Sequence, residues 1–238
     1  MKQRGKGPKP EAPQSGEPPE FRSWQEAMPK EGLIVVNGHR RKGKTKTVWG
    51  IAEAMHKRGR PVTAYRFPKS LRHILPDWVN HCDELGELEA LQGHVIVADE
   101  MGQQAHAREH ASEGNIEWAK MLGILAQFHH LLLAIYQHNR QMDLSLAMDA
   151  DLTIFKQPSL LHLRFSRREL LPELELAVAK FRACTGDPRN WMMLVDWHEG
   201  RTGFVTGPKP SFWSEDLSTA YALALAKEAE DAAALDTA

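Results

Sequence analysis

The chain contains a glycine-rich loop of the kind that binds phosphate groups. The loop, Gly38-His39-Arg40-Arg41-Lys42-Gly43-Lys44-Thr45, matches the pattern G-x-x-x-x-G-K-[ST] in full. It lies between an apolar run at 33–36 and a segment with helical periodicity, which is the context that the pattern requires. Backbone N–H groups of such a loop, and the positive end of the helix that follows, point at phosphate oxygens. The sequence therefore predicts a nucleoside triphosphate site.

The residue types within and after the loop predict separate roles. Lys44 is expected to reach the β- and γ-phosphates, and the Thr45 hydroxyl is expected to hold Mg²⁺. The positive charge around the loop attracts nucleotide, and a neighbouring subunit is expected to offset part of it. The predicted nucleotide-binding residues are Gly38, Arg40, Arg41, Lys42, Gly43, Lys44, Thr45 and Lys46.

Two adjacent carboxylates follow the apolar run at 94–98. Because open α/β sheets bind their ligands beyond the carboxyl ends of the strands, Asp99 is expected beside the phosphate loop. Asp99 is predicted to hold Mg²⁺, directly or through water, and Glu100 is predicted to polarise a water molecule for attack on the γ-phosphate. This pair favours hydrolysis over phosphoryl transfer to another acceptor.

Two further polar residues follow the apolar run at 131–136. Gln137 can donate to the γ-phosphate and accept from the attacking water, so it is predicted to sense the state of the nucleotide. The strand before Gln137 is expected to lie next to the strand that contains Asp99. Arg140 is predicted to act in the site of a neighbouring subunit, where an arginine offsets the charge of the transition state. The other arginines considered for that role are Arg108, Arg164, Arg167 and Arg168.

Apolar runs alternate with amphipathic segments, and this alternation predicts the elements that position these residues. Strands are predicted at 33–37, 61–65, 94–100, 131–136 and 152–155, and helices at 44–58, 116–128, 142–149 and 167–183. A short helix is predicted around 71–79, and a β-hairpin is predicted from 191–197 and 202–205. The predicted fold class is α/β, with a mostly parallel sheet flanked by helices and extended by the hairpin.

Composition divides the chain into three parts. The proline-rich, basic residues 1–22 are predicted to be a disordered tail, and residues 23–213 are predicted to be the ATPase domain. Residues 214–238 are predicted to be an alanine-rich acidic tail with a helix at 215–233. The aromatic pair Phe212-Trp213 is predicted to plug the core, with a stacking platform for nucleic acid as the alternative.

The overall composition also bears on where the protein works. Two cysteines that are far apart in the chain favour a reducing compartment. The longest apolar stretch, 121–136, is interrupted by polar residues and falls short of the roughly 20 apolar residues that span a bilayer. We therefore expect a soluble, cytoplasmic protein without a transmembrane segment.

The segment His106-Ala107-Arg108-Glu109-His110 spells H-x-x-E-H, a pattern that also occurs in zinc peptidases. Zinc would need both histidines on a stable helix and a third acidic ligand. This segment instead lies in a polar stretch, 101–114, so we expect no zinc. The stretch is predicted to be a mobile loop, either solvated or in contact with nucleic acid in the channel of a ring.

Taken together, the motifs resemble those of the FtsK–HerA superfamily of DNA-pumping ATPases. The likeness is greatest to the compact genome-packaging ATPases of membrane-containing icosahedral viruses. It rests on residues 38–45, 95–100, 137–143 and 150–156, and it covers roughly residues 31–206. The resemblance implies a RecA-like P-loop fold and a homo-oligomeric ring that moves double-stranded DNA. It also implies contacts with capsid or membrane-vertex proteins, and location in the host cytoplasm or on the virion.

The leading interpretation is an ATP-driven translocase that packages a viral double-stranded DNA genome. One alternative is a motor for filamentous-phage assembly, for secretion or for conjugative DNA transfer, although such relatives usually carry a membrane segment. Another is a nucleotide or nucleoside kinase, which would need an arginine-rich lid and an acceptor pocket. A nucleotide-gated scaffold is the non-enzymatic alternative, and it would bind ATP without turnover.

Overall fold

An eight-stranded sheet forms the centre of the protein. The computed structural model describes residues 20–99, 120–136, 149–159, 163–164, 166 and 168–227. The strands within them are β1 (Gly32–Asn37), β2 (Val62–Tyr65), β3 (Val79–Cys82), β4 (Val95–Ala98), β5 (Leu131–Tyr136), β6 (Leu152–Phe155), β7 (Trp191–Asp196) and β8 (Thr202–Thr206). Their order is β3-β2-β4-β5-β1-β6-β7-β8. The strands from β3 to β6 in this order run parallel, and β7 and β8 extend the sheet by antiparallel pairing.

Helices cover both faces of the sheet, which explains why its central strands are apolar throughout. On one face, helix α2 (Lys44–His56) packs with alternate β1 residues such as Ile34 and Val36. On the other face, the helical residues 120–127 (α4) pack with Leu33 and Val35. Because successive strand residues point to opposite faces, a run such as 33–36 must be buried on both sides. The predicted α/β class with a mostly parallel sheet is confirmed.

The other described helices are shorter or lie at the edges of the fold. They are α1 (Trp24–Ala27), α3 (Leu85–Leu88), α5 (Leu171–Ala183), α6 (Glu215–Ser218) and α7 (220–227). Among the described residues, no helix combines the length and the apolar character needed to cross a bilayer. Residues 142–148 of the predicted helix at 142–149, and residues 116–119 of the predicted helix at 116–128, lie outside the described residues.

The region predicted as a short helix around 71–79 is different in the structure. A 3₁₀ helix spans Lys69–Ile74, and the chain then enters strand β3, which pairs with β2 at the edge of the sheet. Pro76 explains the change, because proline is unfavourable inside a helix and its carbonyl instead accepts a hydrogen bond from Val79 in a turn. The prediction of helix at residue 79 was therefore wrong.

Several boundaries also differ from the predicted ones. Helix α5 begins at Leu171 rather than at 167, with a proline in its first turn. The predicted helix at 215–233 is divided at Thr219 in its described part. Phe21, which was assigned to the tail, is buried, and its N–H donates to the carbonyl of Thr202 at 2.8 Å.

Candidate nucleotide-binding site

The loop between β1 and α2 turns the chain from strand to helix at one edge of the sheet. Strand β1 ends at Asn37 and α2 begins at Lys44, so residues 38–43 form the turn. Gly43 has a φ of 80°, in the left-handed region that glycine adopts without steric cost. The strand, loop and helix predicted around the motif are present, and the helix N-terminus faces the space beyond the sheet edge.

The Lys44 side chain lies inside this loop. It is buried, and its amine donates to the carbonyl of Gly38 at 2.9 Å and to that of His39 at 3.1 Å. A cation held at the centre of a loop of backbone amides is suited to binding phosphate oxygens. The predicted role of Lys44 is consistent with this position.

Thr45 and Asp99 meet although they are far apart in sequence. The hydroxyl of Thr45 donates to the carboxylate Oδ2 of Asp99 at 3.0 Å, and Asp99 is mostly buried at the end of β4. A hydroxyl and a carboxylate supply hard oxygen ligands, the donors that Mg²⁺ prefers. The two residues therefore fit the predicted magnesium site, in which each would supply one oxygen ligand.

A cavity of about 290 Å³ opens beside the loop. Its phosphate-loop wall includes Arg40, Arg41 and Lys44, while Thr45 and Asp99 line it near the sheet. The cavity thus brings cationic groups together with the hydroxyl of Thr45 and the carboxylate of Asp99. Such a surface is suited to a polyphosphate.

A further wall of the cavity is formed by the C-terminal segment, which was not among the residues predicted for the site. It comprises Trp213, Leu217, Ser218, Thr219, Ala220, Tyr221, Ala222 and Leu225. Leu217 and Ala220 are buried in the same core cluster as Ile135, which also lines the cavity. The spacing of Leu217, Ala220 and Ala224 along one helical face is a signal that a core contact exists, but it does not identify the partner surface.

Strand β5 lies between β1 and β4, as expected for the strand that precedes Gln137. Its last residue, Tyr136, is in register with Asn37, and its residue Ala134 is in register with Ala98. The end of β5 is therefore at the same sheet edge as the phosphate loop and Asp99. Gln137 itself lies outside the described residues, as do Glu100 and Arg140.

Some of the remaining predicted binding residues face the cavity, and another faces a neighbouring turn. Arg40 and Arg41 line the cavity, whereas the amine of Lys46 donates to the side-chain oxygen of Asn190 at 2.7 Å. Burial lowers the pKa of Lys46, and Arg189 and Lys209 add to the effect while Asp187 opposes it. Lys46 is thus engaged with a neighbouring turn, and its charge still lies close to the loop.

The other sequence candidates contribute little to the described site. Arg164 and Arg168 are exposed, while Arg108 and Arg167 lie outside the described residues. The H-x-x-E-H segment also lies outside them. Within the part of the chain that the structure describes, no group of three or more histidine, cysteine or acidic residues could hold a metal ion.

Solved structures with a similar fold include viral packaging ATPases. The genome-packaging NTPase B204 of Sulfolobus turreted icosahedral virus 2, in complex with ATP-gammaS, matches with a TM-score of 0.55 and 14% identity over 77% of this chain and 100% of its own. The DNA-packaging ATPase B204 of Sulfolobus turreted icosahedral virus matches with a TM-score of 0.52 and 13% identity over 77% and 100%. The chain has the fold of a P-loop ATPase.

A third solved structure links the same fold to a different protein class. The pCW3 conjugation coupling protein TcpA, in its monomer form with ATPgS, matches with a TM-score of 0.53 and 11% identity over 76% of this chain and 61% of its own. These three structures, each less than 25% identical to this chain, confirm the predicted RecA-like P-loop fold. No protein-family model and no curated protein sequence matches the chain.

Proposed function

We propose that this P-loop protein is an ATP-hydrolysing motor that moves double-stranded DNA, and that it packages a viral genome into a capsid. The observation that supports it most is the contact of Thr45 with Asp99 beside a buried Lys44. Strand β5 ends at the same sheet edge, between the strands that carry these residues. This geometry brings together a phosphate cradle, a pair of metal-binding oxygens and the chain position from which Gln137 follows.

Hydrolysis follows from the chemistry of these groups. The loop amides and the Lys44 amine bind the β- and γ-phosphates and oppose the charge that develops on them. Mg²⁺ held by Thr45 and Asp99 would supply further charge neutralisation when it is bound. Glu100 accepts a proton from the attacking water, whose oxygen bonds to the γ-phosphorus as the bond to ADP breaks. Gln137 contacts the γ-phosphate and loses that contact when phosphate leaves.

Movement of DNA requires that the loss of the contact between Gln137 and the γ-phosphate be transmitted to other subunits. We propose a homo-oligomeric ring in which Arg140 of one subunit completes the site of the next. The names of the B204 matches, genome-packaging NTPase and DNA-packaging ATPase, support this assignment. Capsid or membrane-vertex proteins are the proposed docking partners, and the host cytoplasm is the proposed location.

Conjugative DNA transfer is the second candidate. The likeness to TcpA supports it, because that TM-score of 0.53 is close to those of the packaging ATPases. Both candidates share an ATP-driven DNA motor, and they differ in what the ring is attached to. A pull-down from infected cells that recovers capsid or vertex proteins would favour packaging, and recovery of conjugation-pore proteins would favour transfer.

The shared part of the proposal is tested by ATP hydrolysis with and without double-stranded DNA. We expect DNA to stimulate hydrolysis in the parent protein and the activity to fall roughly a hundredfold or more in Glu100→Gln, which keeps shape but not basicity. Nucleotide binding should persist in that variant. Glu175→Gln, the same change at an exposed position on α5, should behave as the parent.

Three results would contradict the proposal in different ways. ATP hydrolysis at the same rate with and without DNA would contradict the proposed DNA motor but would still support an ATPase. Binding without turnover would indicate a nucleotide-gated scaffold. Transfer of the γ-phosphate to a nucleoside or nucleotide, with little release of free phosphate, would indicate a kinase.

A further inference from the structure

Lys156, the first residue after β6, is a completely buried lysine. Its amine donates to the carbonyl oxygens of Arg189 at 3.1 Å and of Trp191 at 2.5 Å. An ammonium group is expensive to bury unless it is hydrogen-bonded, so its location must provide specific partners. Here those partners are the backbone of the turn that leads into β7.

The backbone of Lys156 contacts the beginning of the phosphate loop. Its N–H donates to the carbonyl of Asn37 at 2.7 Å. A Cβ placed on Gly38 would lie 2.7 Å from the carbonyl oxygen of Lys156 and 2.8 Å from its Cβ. Such contacts are too short for a side chain, so Gly38 is seated directly against Lys156.

The end of the phosphate loop contacts the turn that the Lys156 amine holds. A Cβ placed on Gly43 would lie 2.9 Å from the carbonyl oxygen of Arg189, and that same oxygen accepts a hydrogen bond from Lys156. The last glycine of the loop therefore packs against an atom whose position depends on the lysine. One side chain thus connects the surfaces on which both loop glycines rest.

The turn is a 3₁₀ helix, Pro188–Asn190, with further ties to the site. The side-chain oxygen of Asn190 accepts from Lys46 in the first turn of α2, and its carbonyl accepts from the N–H of Gly207 at 2.6 Å. The Asp187 side chain caps the turn by accepting from the N–H of Arg189 at 2.9 Å. These hydrogen bonds hold the turn in place, and the Lys156 amine joins the turn to the end of β6.

We propose that Lys156 is a positioning residue for nucleotide binding, which holds the support beneath Gly43 while its backbone seats Gly38. The inference rests on the proposed nucleotide site, but Lys156 itself does not touch nucleotide. It sets the distance between the two ends of the phosphate loop, and through that distance the direction of the loop amides. Loss of the amine would release the turn and widen the range of loop shapes.

The test compares Lys156→Met with Lys156→Arg by titration with Mg²⁺-ADP, well below the melting temperature of each variant. Methionine has a similar length without a donor, and we expect nucleotide affinity to fall about tenfold or more. Arginine restores donors and should recover part of that loss. Lys180→Met, the same change on α5 where the amine pairs with Glu20, should leave affinity unchanged. Affinity within twofold of the parent in Lys156→Met would overturn the proposal.

A second pair of variants keeps the proposal testable if Lys156→Met does not fold. Asp187→Ala and Asp187→Ser remove the same exposed charge, but serine retains an oxygen that can cap the turn. We expect the alanine variant to bind nucleotide roughly threefold more weakly than the serine variant, when both are compared well below their melting temperatures. Equal affinities would overturn the proposal. A parent protein that binds no nucleotide would instead contradict the proposed function.

Discussion

The Thr45 hydroxyl donates to the Asp99 carboxylate at 3.0 Å, across 54 positions of sequence. Thr45 follows strand β1 and Asp99 follows strand β4. These two strands are not neighbours, because β5 lies between them. The contact forms because α2, whose first turn contains Thr45, packs against both β5 and β4. It joins the first turn of α2 to the end of β4. Both groups are oxygen donors suited to Mg²⁺.

Asp99→Asn should remove the magnesium-dependent part of nucleotide affinity. Asparagine keeps the shape and accepts from Thr45, but it lacks the charge that binds a divalent cation. We expect Mg²⁺-ATPγS to bind about tenfold or more weakly, and binding in EDTA to change little or to improve. Calorimetric titration with and without Mg²⁺ measures both. Asp77→Asn, at an exposed position, is the control. A full magnesium effect in Asp99→Asn would contradict the assigned metal position.

The C-terminal wall offers a matched pair of leucines. Leu225 lines the cavity and is 59% exposed, whereas Leu223 on the same helix is 40% exposed and was not found in the cavity wall. A carboxylate facing bound phosphates repels them, while exposed substitutions rarely change stability by more than about 0.5 kcal/mol. We expect Leu225→Asp to weaken ATP binding roughly threefold to tenfold at low salt.

Leu223→Asp is the control for that prediction, because it adds the same charge to the same helix. The measurement is titration with a fluorescent ATP analogue at two salt concentrations, since screening reduces repulsion between exposed charges. Equal affinities for the two variants would mean that the C-terminal helix does not face the nucleotide.

The arrangement of β1, the glycine-rich loop, α2 and Asp99 could be predicted from the sequence because its signals are local. The loop pattern, the apolar runs and the acid at the end of β4 each occupy a few consecutive residues, and parallel strands bring their carboxyl ends to one edge. The strand order also agreed with expectation, since β5 lies beside β4. The roles of the adjoining residues Glu100 and Gln137 are still predictions from the sequence.

Other features depend on contacts that no local pattern reveals. In the sequence, Lys156 is a basic residue at the end of a predicted strand, and such a charge is usually solvated. Its partners are main-chain carbonyls at Arg189 and Trp191, whose positions are set by the turn before β7. The C-terminal wall is equally non-local, because the alanine-rich pattern predicts a helix face but not the sheet edge that covers it.

Because of His130, we expect the folded protein to lose stability in acid. This buried residue accepts from the N–H of His94 through Nδ1 at 3.1 Å, and its Nε2 lies 3.2 Å from the carbonyl of Leu88, so the neutral Nε2–H form satisfies both partners. Burial is the main cause that lowers its pKa, and the charges of Arg60 and His129 contribute. Because the unfolded chain then binds the proton more readily, stability falls as the pH drops below about 6.5.

The expected size of that loss is at most about 1.4 kcal/mol per pH unit for one histidine. His130→Asn keeps an acceptor near the position of Nδ1 without titrating, so its unfolding free energy should depend less on pH between 7 and 5. Urea denaturation at several pH values measures the slope. His73→Asn, at an exposed position, should leave the slope unchanged, and an unchanged slope in His130→Asn as well would contradict the prediction.

For Lys156 we expect a pH dependence of stability above neutral pH. Burial lowers the pKa of its amine to about 7, the charge of Lys46 adds to the effect and Asp187 opposes it. In the unfolded chain the pKa returns to about 10.5, so above pH 7 the unfolded state holds more protons and the folded state gains stability as pH rises. The unfolding free energy of the parent relative to Lys156→Met should therefore increase between pH 7 and 9, by at most about 1.4 kcal/mol per unit. The difference between the parent and Lys180→Met should stay constant over the same range. A constant difference for Lys156→Met too, in urea denaturation series at matched ionic strength, would mean that the amine titrates as a solvated lysine and does not hold the turn.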